Sequence, residues 1–186
     1  RGRHSIVQPN EKLNVPQRTE AARAWGRAAT LQAFGADAAR VGDPGNGDRA
    51  LAAYALEQGD GTAVMLDWAS ANIGSGNQSK AESVIVPGDD AIYESMPPLL
   101  QREYSLPFLE GRLFVDRLRN NGGWNAVNAA WDRLPESTEQ IMHPNRYPDD
   151  RPTSIGMDDI VGMLGGGWTE RWQQTMGELR IGLWLA

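Results

Sequence analysis

The sequence predicts a mainly α fold: one helical domain with at most a minor β element. Three observations predict it. Apolar residues recur at helical spacing in several separate stretches, and each stretch is bracketed by capping residues or by Pro and Gly. The chain is also 186 residues long, 40% hydrophobic, with seven Trp, which is enough for one real core.

Residues 1–18 carry two prolines and mixed charge without periodicity, and are expected as an extended arm before a helical domain over 19–186. Thr19 is expected to cap a helix over 20–34 that Gly35 ends, with Ala21, Trp25, Ala28, Leu31 and Phe34 as its buried stripe. A loop over 41–47 precedes a helix capped by Asp48 and running to about Asn72. Gln58-Gly59-Asp60-Gly61 should interrupt it, since Gly in a helix costs about 1 kcal/mol relative to Ala. Two glycines so close call for a reason, such as close approach of another helix or a ligand.

A flexible loop is expected over 74–78 and a short strand at most over 83–87. Pro97-Pro98 opens a long helix, kinked at Pro107 and stopped by Gly122-Gly123. Residues 124–133 form a short amphipathic helix. Ser137-Thr138-Glu139-Gln140 reads as a capping box for another, ended at His143-Pro144. A polar loop over 145–154, a small unit over 155–164 and a hinge at 165–167 lead to a last helix, capped by Thr169 and running to Leu183. Trp25, Trp68, Trp124, Trp131 and Trp172 are expected in the core.

Composition excludes several functions. With 18 basic against 24 acidic side chains the net charge is −6, which argues against nucleic acid as a partner. No apolar run reaches the roughly 18 residues of a membrane span. There is no Cys, so disulfides, thiol nucleophiles and Cys-held zinc are out. The two histidines, His4 and His143, form no His-x-x-x-His pair. Nothing such as Gly-x-Ser-x-Gly announces a Ser-His-Asp triad. The run Gly165 to Gly167 lacks the Lys of a phosphate loop and reads as a joint. The acidic pairs Asp89-Asp90, Asp149-Asp150 and Asp158-Asp159 read as solvated, though paired carboxylates can bind hard cations.

Several segments in order resemble a bacterial family of zinc-metallopeptidase-like proteins of the gluzincin type. They are Ala55-Leu56-Glu57-Gln58-Gly59-Asp60-Gly61-Thr62, Met96-Pro97-Pro98-Leu99-Leu100, Leu106-Pro107-Phe108-Leu109-Glu110-Gly111, Gly122-Gly123-Trp124-Asn125-Ala126-Val127, Ser137-Thr138-Glu139-Gln140-Ile141-Met142-His143-Pro144 and Gly177-Glu178-Leu179. The resemblance implies an all-α core in which a His-Glu-x-x-His helix and a Glu from a Glu-Gly-Asp helix hold zinc. The zinc would lower the pKa of a bound water, and the motif Glu would take its proton.

This chain departs from that pattern. Gln58 stands where the family has its third ligand, and Glu57 is one residue off, rotated by about 100°. Pairing Thr30-Leu31-Gln32 with the family's Ala-Leu-Gln puts Trp25, Gly26 and Ala29 at the His, Glu and His positions. Trp25 is then expected to fill the space of the metal and its water. Asp60, Glu139, His143 and Tyr147 are the residues expected around such a cleft, with His143 and Tyr147 pinning a loop by hydrogen bonds.

With these departures the chain is expected to be a metallopeptidase-like domain without catalytic residues or cofactor; the arm without a hydrophobic pattern and the apolar end Leu183-Trp184-Leu185 fit a structural or binding subunit with a protein partner. The resemblance also implies an extracytoplasmic location or the membrane periphery. A chain that starts at Arg1 and stops inside an apolar helix is expected to be a processed or partial piece. Two alternatives stay open: an active zinc peptidase whose His-Glu-x-x-His helix lies outside this sequence, and a small-ligand binder using the vacated cleft.

Overall fold

The computed structural model describes residues 12–35, 45–153 and 155–185. His4, most of the 1–18 arm and most of the 41–47 loop lie outside them. Among the described residues the chain is mainly helical and contains no strand. The helices are α1 (Val15–Phe34), α2 (Gly47–Asn72), α3 (Gln78–Glu82), α4 (Asp90–Ser95), α5 (Pro98–Asp132), α6 (Thr138–Met142), α7 (Ile160–Leu164) and α8 (Glu178–Leu185). A 3-10 turn at Ser75–Asn77 leads into α3, where the sequence predicts a loop. No helix among them is long and apolar enough to cross a membrane.

Helix α1 starts earlier than its composition predicts, so the arm is shorter. Asn14 and Gln17 form a reciprocal capping box, each side chain accepting the other's amide at 2.9 Å, with Pro16 in the first turn. Thr19 is therefore inside the helix, fully buried, with its hydroxyl donating back to the Val15 carbonyl at 2.8 Å.

Helix α2 is capped by Asn46 and passes unbroken through Gly59 and Gly61. The reason for these glycines is the approach of neighbouring helices. A Cβ on Gly59 would sit 2.9 Å from the Arg112 amide nitrogen and closer still to the Gly111 carbonyl. A Cβ on Gly111 would lie 2.9 Å from the Ala55 carbonyl carbon and closer to its oxygen. Backbone thus touches backbone where α2 crosses α5. Gly61 gives the same room to Arg27, and Gly26 to Val64.

Helix α5 keeps helical backbone through Pro107 and breaks at Gly122-Gly123, where Gly123 has φ +63°. Its two parts, 98–121 and 124–132, pack Leu106, Phe114, Val115, Val127 and Trp131 against Ala52, Ala55 and Leu56 of α2 and Ile141 of α6. The α6 turn has Ser137 as its cap, with the hydroxyl accepting the Gln140 amide at 3.3 Å. Gln140 does not complete a box on Ser137. Its side chain instead accepts from the Glu136 amide at 2.8 Å and donates to the Asp150 carbonyl at 2.7 Å, tying the following loop to the helix.

Residues 83–87, expected as a short strand at most, form turns, and Asp89 caps α4, accepting the Ala91 amide at 2.9 Å. One further expectation fails. The last helix begins at Glu178, since 168–177 are not helical. Here polar groups reach back to the start of α2: Gln174 accepts the Gly47 amide, and Thr175 donates to the Gly45 carbonyl at 3.3 Å.

Candidate functional site

The polar residues gather in two places. The first is the seam between α1 and α2. Of the predicted apolar stripe of α1, Phe34 packs against the core and stacks on Trp131; elsewhere on the helix Thr19 and Arg23 are the buried residues, and Trp25 is 78% exposed. Trp25 therefore does not fill an interior space. Ala29 is exposed beside it, and Gly26 faces Val64 of α2. A polar face on α1 is stable because α2 offers polar partners. Arg27 pairs with the buried Glu57, and Thr30 donates to Asp60 at 3.0 Å. Trp131 of α5 donates its indole N–H to the same Asp60 oxygen at 3.1 Å. Burial pushes the Asp60 carboxyl above its ordinary range, against the opposing pull of these two hydrogen bonds.

Arg23 donates to the Val84 and Ile85 carbonyls, the latter at 2.9 Å, and to Met65 Sδ at 3.1 Å. This satisfies backbone acceptors of the 83–87 turns that no strand partner serves. Burial lowers its guanidinium pKa, and Glu20, at 3.6 Å, only partly opposes that.

Gln58 lies on the same stretch of α2 and is 2% exposed. Among the described residues its Nε2 finds no hydrogen-bond partner, nor does the hydroxyl of Thr62 one turn on.

The second place is where α2, α6 and α8 meet. Asp48 is buried in the first turn of α2, and its carboxylate accepts the Thr138 amide at 3.0 Å and hydroxyl at 2.7 Å. The Leu179 amide donates to that hydroxyl oxygen at 3.4 Å. His143 and Glu178 are paired at 2.9 Å, and Glu139 pairs with Arg146. Tyr147 donates to the Arg133 carbonyl at 2.6 Å and sets its ring edge-on to Phe114. Tyr147 pins the loop as expected; His143 instead fastens α6 to α8.

The predicted cleft residues thus divide. Asp60 belongs to the seam, whereas Glu139, His143 and Tyr147 hold the far loop and the last helix. A shallow groove of about 470 Å³ lies elsewhere, lined by Asp116, Arg119, Asn120, Gly123 and Trp124. Arg119 stacks over Trp124 there and pairs with Asp67 at 2.7 Å.

These residues do not fit zinc. A zinc site of this type takes three imidazole or carboxylate ligands. Gln58 offers a neutral amide, and Trp25, Gly26 and Ala29 offer no donor atom. Glu57 and Asp60 are already engaged, and no group of three His, Asp or Glu among the described residues could hold a metal.

Sequence reasoning missed Arg23, Arg27 and Thr30, although their spacing of four and three residues marks one helix face. It also missed Asp48 with Thr138, partners 90 residues apart that no local pattern announces. Searches against family models, curated proteins and solved structures find no match for this chain.

Proposed function

We propose that the chain is a metallopeptidase-like helical domain without catalytic chemistry, serving as a structural or binding subunit of a larger assembly outside the cytoplasm or at the membrane periphery. The observation that carries this reading is the state of the carboxylates around Gln58. Glu57 is neutralised by Arg27, and Asp60 is bonded by Thr30 and Trp131, so both are spent holding α1 and α5 on α2. On this reading, bonds between helices stand where the resembling family grips a metal.

The Ser137-to-Pro144 stretch supports the same reading, since its polar groups are engaged in capping α6 and in holding the following loop and the last helix. Ser137 caps α6, Gln140 holds the loop at Asp150, and His143 bonds Glu178.

The test is metal analysis of the purified chain together with hydrolysis of a mixed peptide library, with and without chelator. The proposal expects no stoichiometric zinc and no chelator-sensitive cleavage. One zinc per chain with cleavage that chelation abolishes refutes it.

A further inference from the structure

Helices α2 and α5 meet through apolar side chains and backbone contact, whereas α1 lies on α2 mostly through polar side chains. Its buried residues are Thr19 and Arg23. Along its middle it is fastened by Arg27 to Glu57, by Thr30 to Asp60, and by Arg23 to Met65 and the 83–87 turns. Of its apolar residues, Val15 and Phe34 pack on the buried clusters, one at each end of the helix. Polar bonds of this kind add little net stability, because water replaces them when they part.

The seam is also imperfectly satisfied. Five buried side-chain polar atoms among the described residues lack a hydrogen-bond partner. Four of them belong to α1 or to the stretch of α2 on which it lies: Glu20 Oε1, Arg23 Nη1, Gln58 Nε2 and Thr62 Oγ1. Glu20 and Arg23 face each other at 3.6 Å, an ion pair too long for a hydrogen bond. Each such atom penalises the closed seam and regains water when the seam opens.

We infer that α1 is a hinged flap, which lifts off α2 as one unit while α2, α5 and α6 stay folded. Regions held by few buried apolar contacts open at lower free energy than the core they rest on. The flap lifts whole because its ends are its best-anchored parts. The Asn14–Gln17 capping box and Val15 secure one end, and Phe34, stacked on Trp131 at 5.8 Å, secures the other. Gly35, with φ +84° and open space where a Cβ would be, stands at the pivot. Opening uncovers Glu57, Gln58, Asp60 and Thr62, all buried in the closed form. The inference goes beyond the subunit reading and does not rest on it.

Native-state hydrogen exchange of the full chain, read by NMR in low concentrations of urea, tests this. Amides of residues 20–33 should share one protection factor, at least about a hundredfold below those of α2 and of residues 106–118 in α5. Their urea dependence should be weaker, since lifting one helix exposes less surface than global unfolding. Val115→Ala, at a fully buried core site, removes contacts that the open form keeps. It should lower core protection about tenfold and leave that of α1 unchanged. Arg27→Ala removes a bond lost in every opening, and should lower the protection of α1 and of the core by the same factor. If Val115→Ala does not fold, the urea dependence of the parent carries the same distinction.

One common protection and urea dependence for α1 and the core overturns the inference, as does a fall in α1 protection that matches the core in Val115→Ala. Unequal responses to Arg27→Ala overturn it too. So does α1 protection that declines gradually from the helix ends, or that is missing altogether. None of these outcomes touches the metal-free reading, which the zinc and cleavage assays decide separately.

Discussion

The crossing of α2 and α5 is where the account is most exposed to a single substitution, Gly111→Ala. Two effects oppose each other. In a helix interior Ala is favoured over Gly by about 1 kcal/mol, so an unobstructed site should gain stability. At Gly111 the new methyl would lie 2.9 Å from the Ala55 carbonyl carbon, well inside the 3.5–4.0 Å of a carbon–carbon contact, and nearer still to the oxygen. The obstacle is backbone, so relief requires the two helices to move apart by about 1 Å along their main packing seam. Overpacking typically costs about 1–3 kcal/mol where side chains can adjust, and a rigid obstacle takes the upper end. The net expectation is destabilisation of about 2 kcal/mol, which for a chain of this size lowers Tm by about 4–8 °C. Thermal unfolding followed by circular dichroism measures it. Gly182→Ala in α8, where a Cβ would meet nothing within 4 Å, is the control and should be neutral or slightly stabilising. A Gly111→Ala variant as stable as the parent would refute the backbone contact.

The remaining predictions concern the polar bonds. Asp60→Asn keeps an acceptor oxygen for Thr30 and Trp131 and removes a buried charge. Because the Asp60 pKa is raised above 3.8, its contribution to stability is full below that value and is lost as pH rises through the raised pKa. Relative to the parent, Asp60→Asn should therefore gain stability from about pH 4 to neutrality; a pH-independent difference in urea midpoints would contradict this. Arg23→Ala leaves the Val84 and Ile85 carbonyls without their donor and opens a void beside Met65. It should cost about 3 kcal/mol in chemical denaturation, and an effect under about 0.5 kcal/mol would show that the 83–87 turns do not depend on it. Asp48→Ala strands the Thr138 amide and hydroxyl in the interior and should cost about 2–4 kcal/mol, with early loss of protection of the α6 amides in hydrogen exchange. Uniform exchange in the variant and the parent would count against that tie.

The helical class was legible because it rests on local rules. The Ser137 cap, the Pro97-Pro98 opening and the Gly122-Gly123 break all act within a few residues, and each is found where the sequence puts it. The demand that Gly59 and Gly61 have a reason was sound too, although the reason preserves the helix where an interruption was expected. What failed was the facing of α1 ahead of Phe34, which does pack on the core. An aromatic and alanines at helical spacing look like a core stripe, yet here Arg23, Arg27 and Thr30 turn inward because α2 presents Glu57 and Asp60. That choice depends on the composition of a helix 30 residues away, which the periodicity of α1 does not contain. The end of the chain failed for a related reason. The 168–177 stretch has helical spacing, but Gln174 and Thr175 bond the start of α2 instead. Tertiary bonds override weak propensity in both places.

The absence of a metal-gripping set around Gln58 is the claim on which the functional reading turns. Crystals of the chain grown with excess zinc and measured above the zinc absorption edge test it directly. The account predicts no anomalous peak between α1 and α2. A strong peak there, within coordination distance of Gln58 or Asp60 and lost after soaking in chelator, would contradict it.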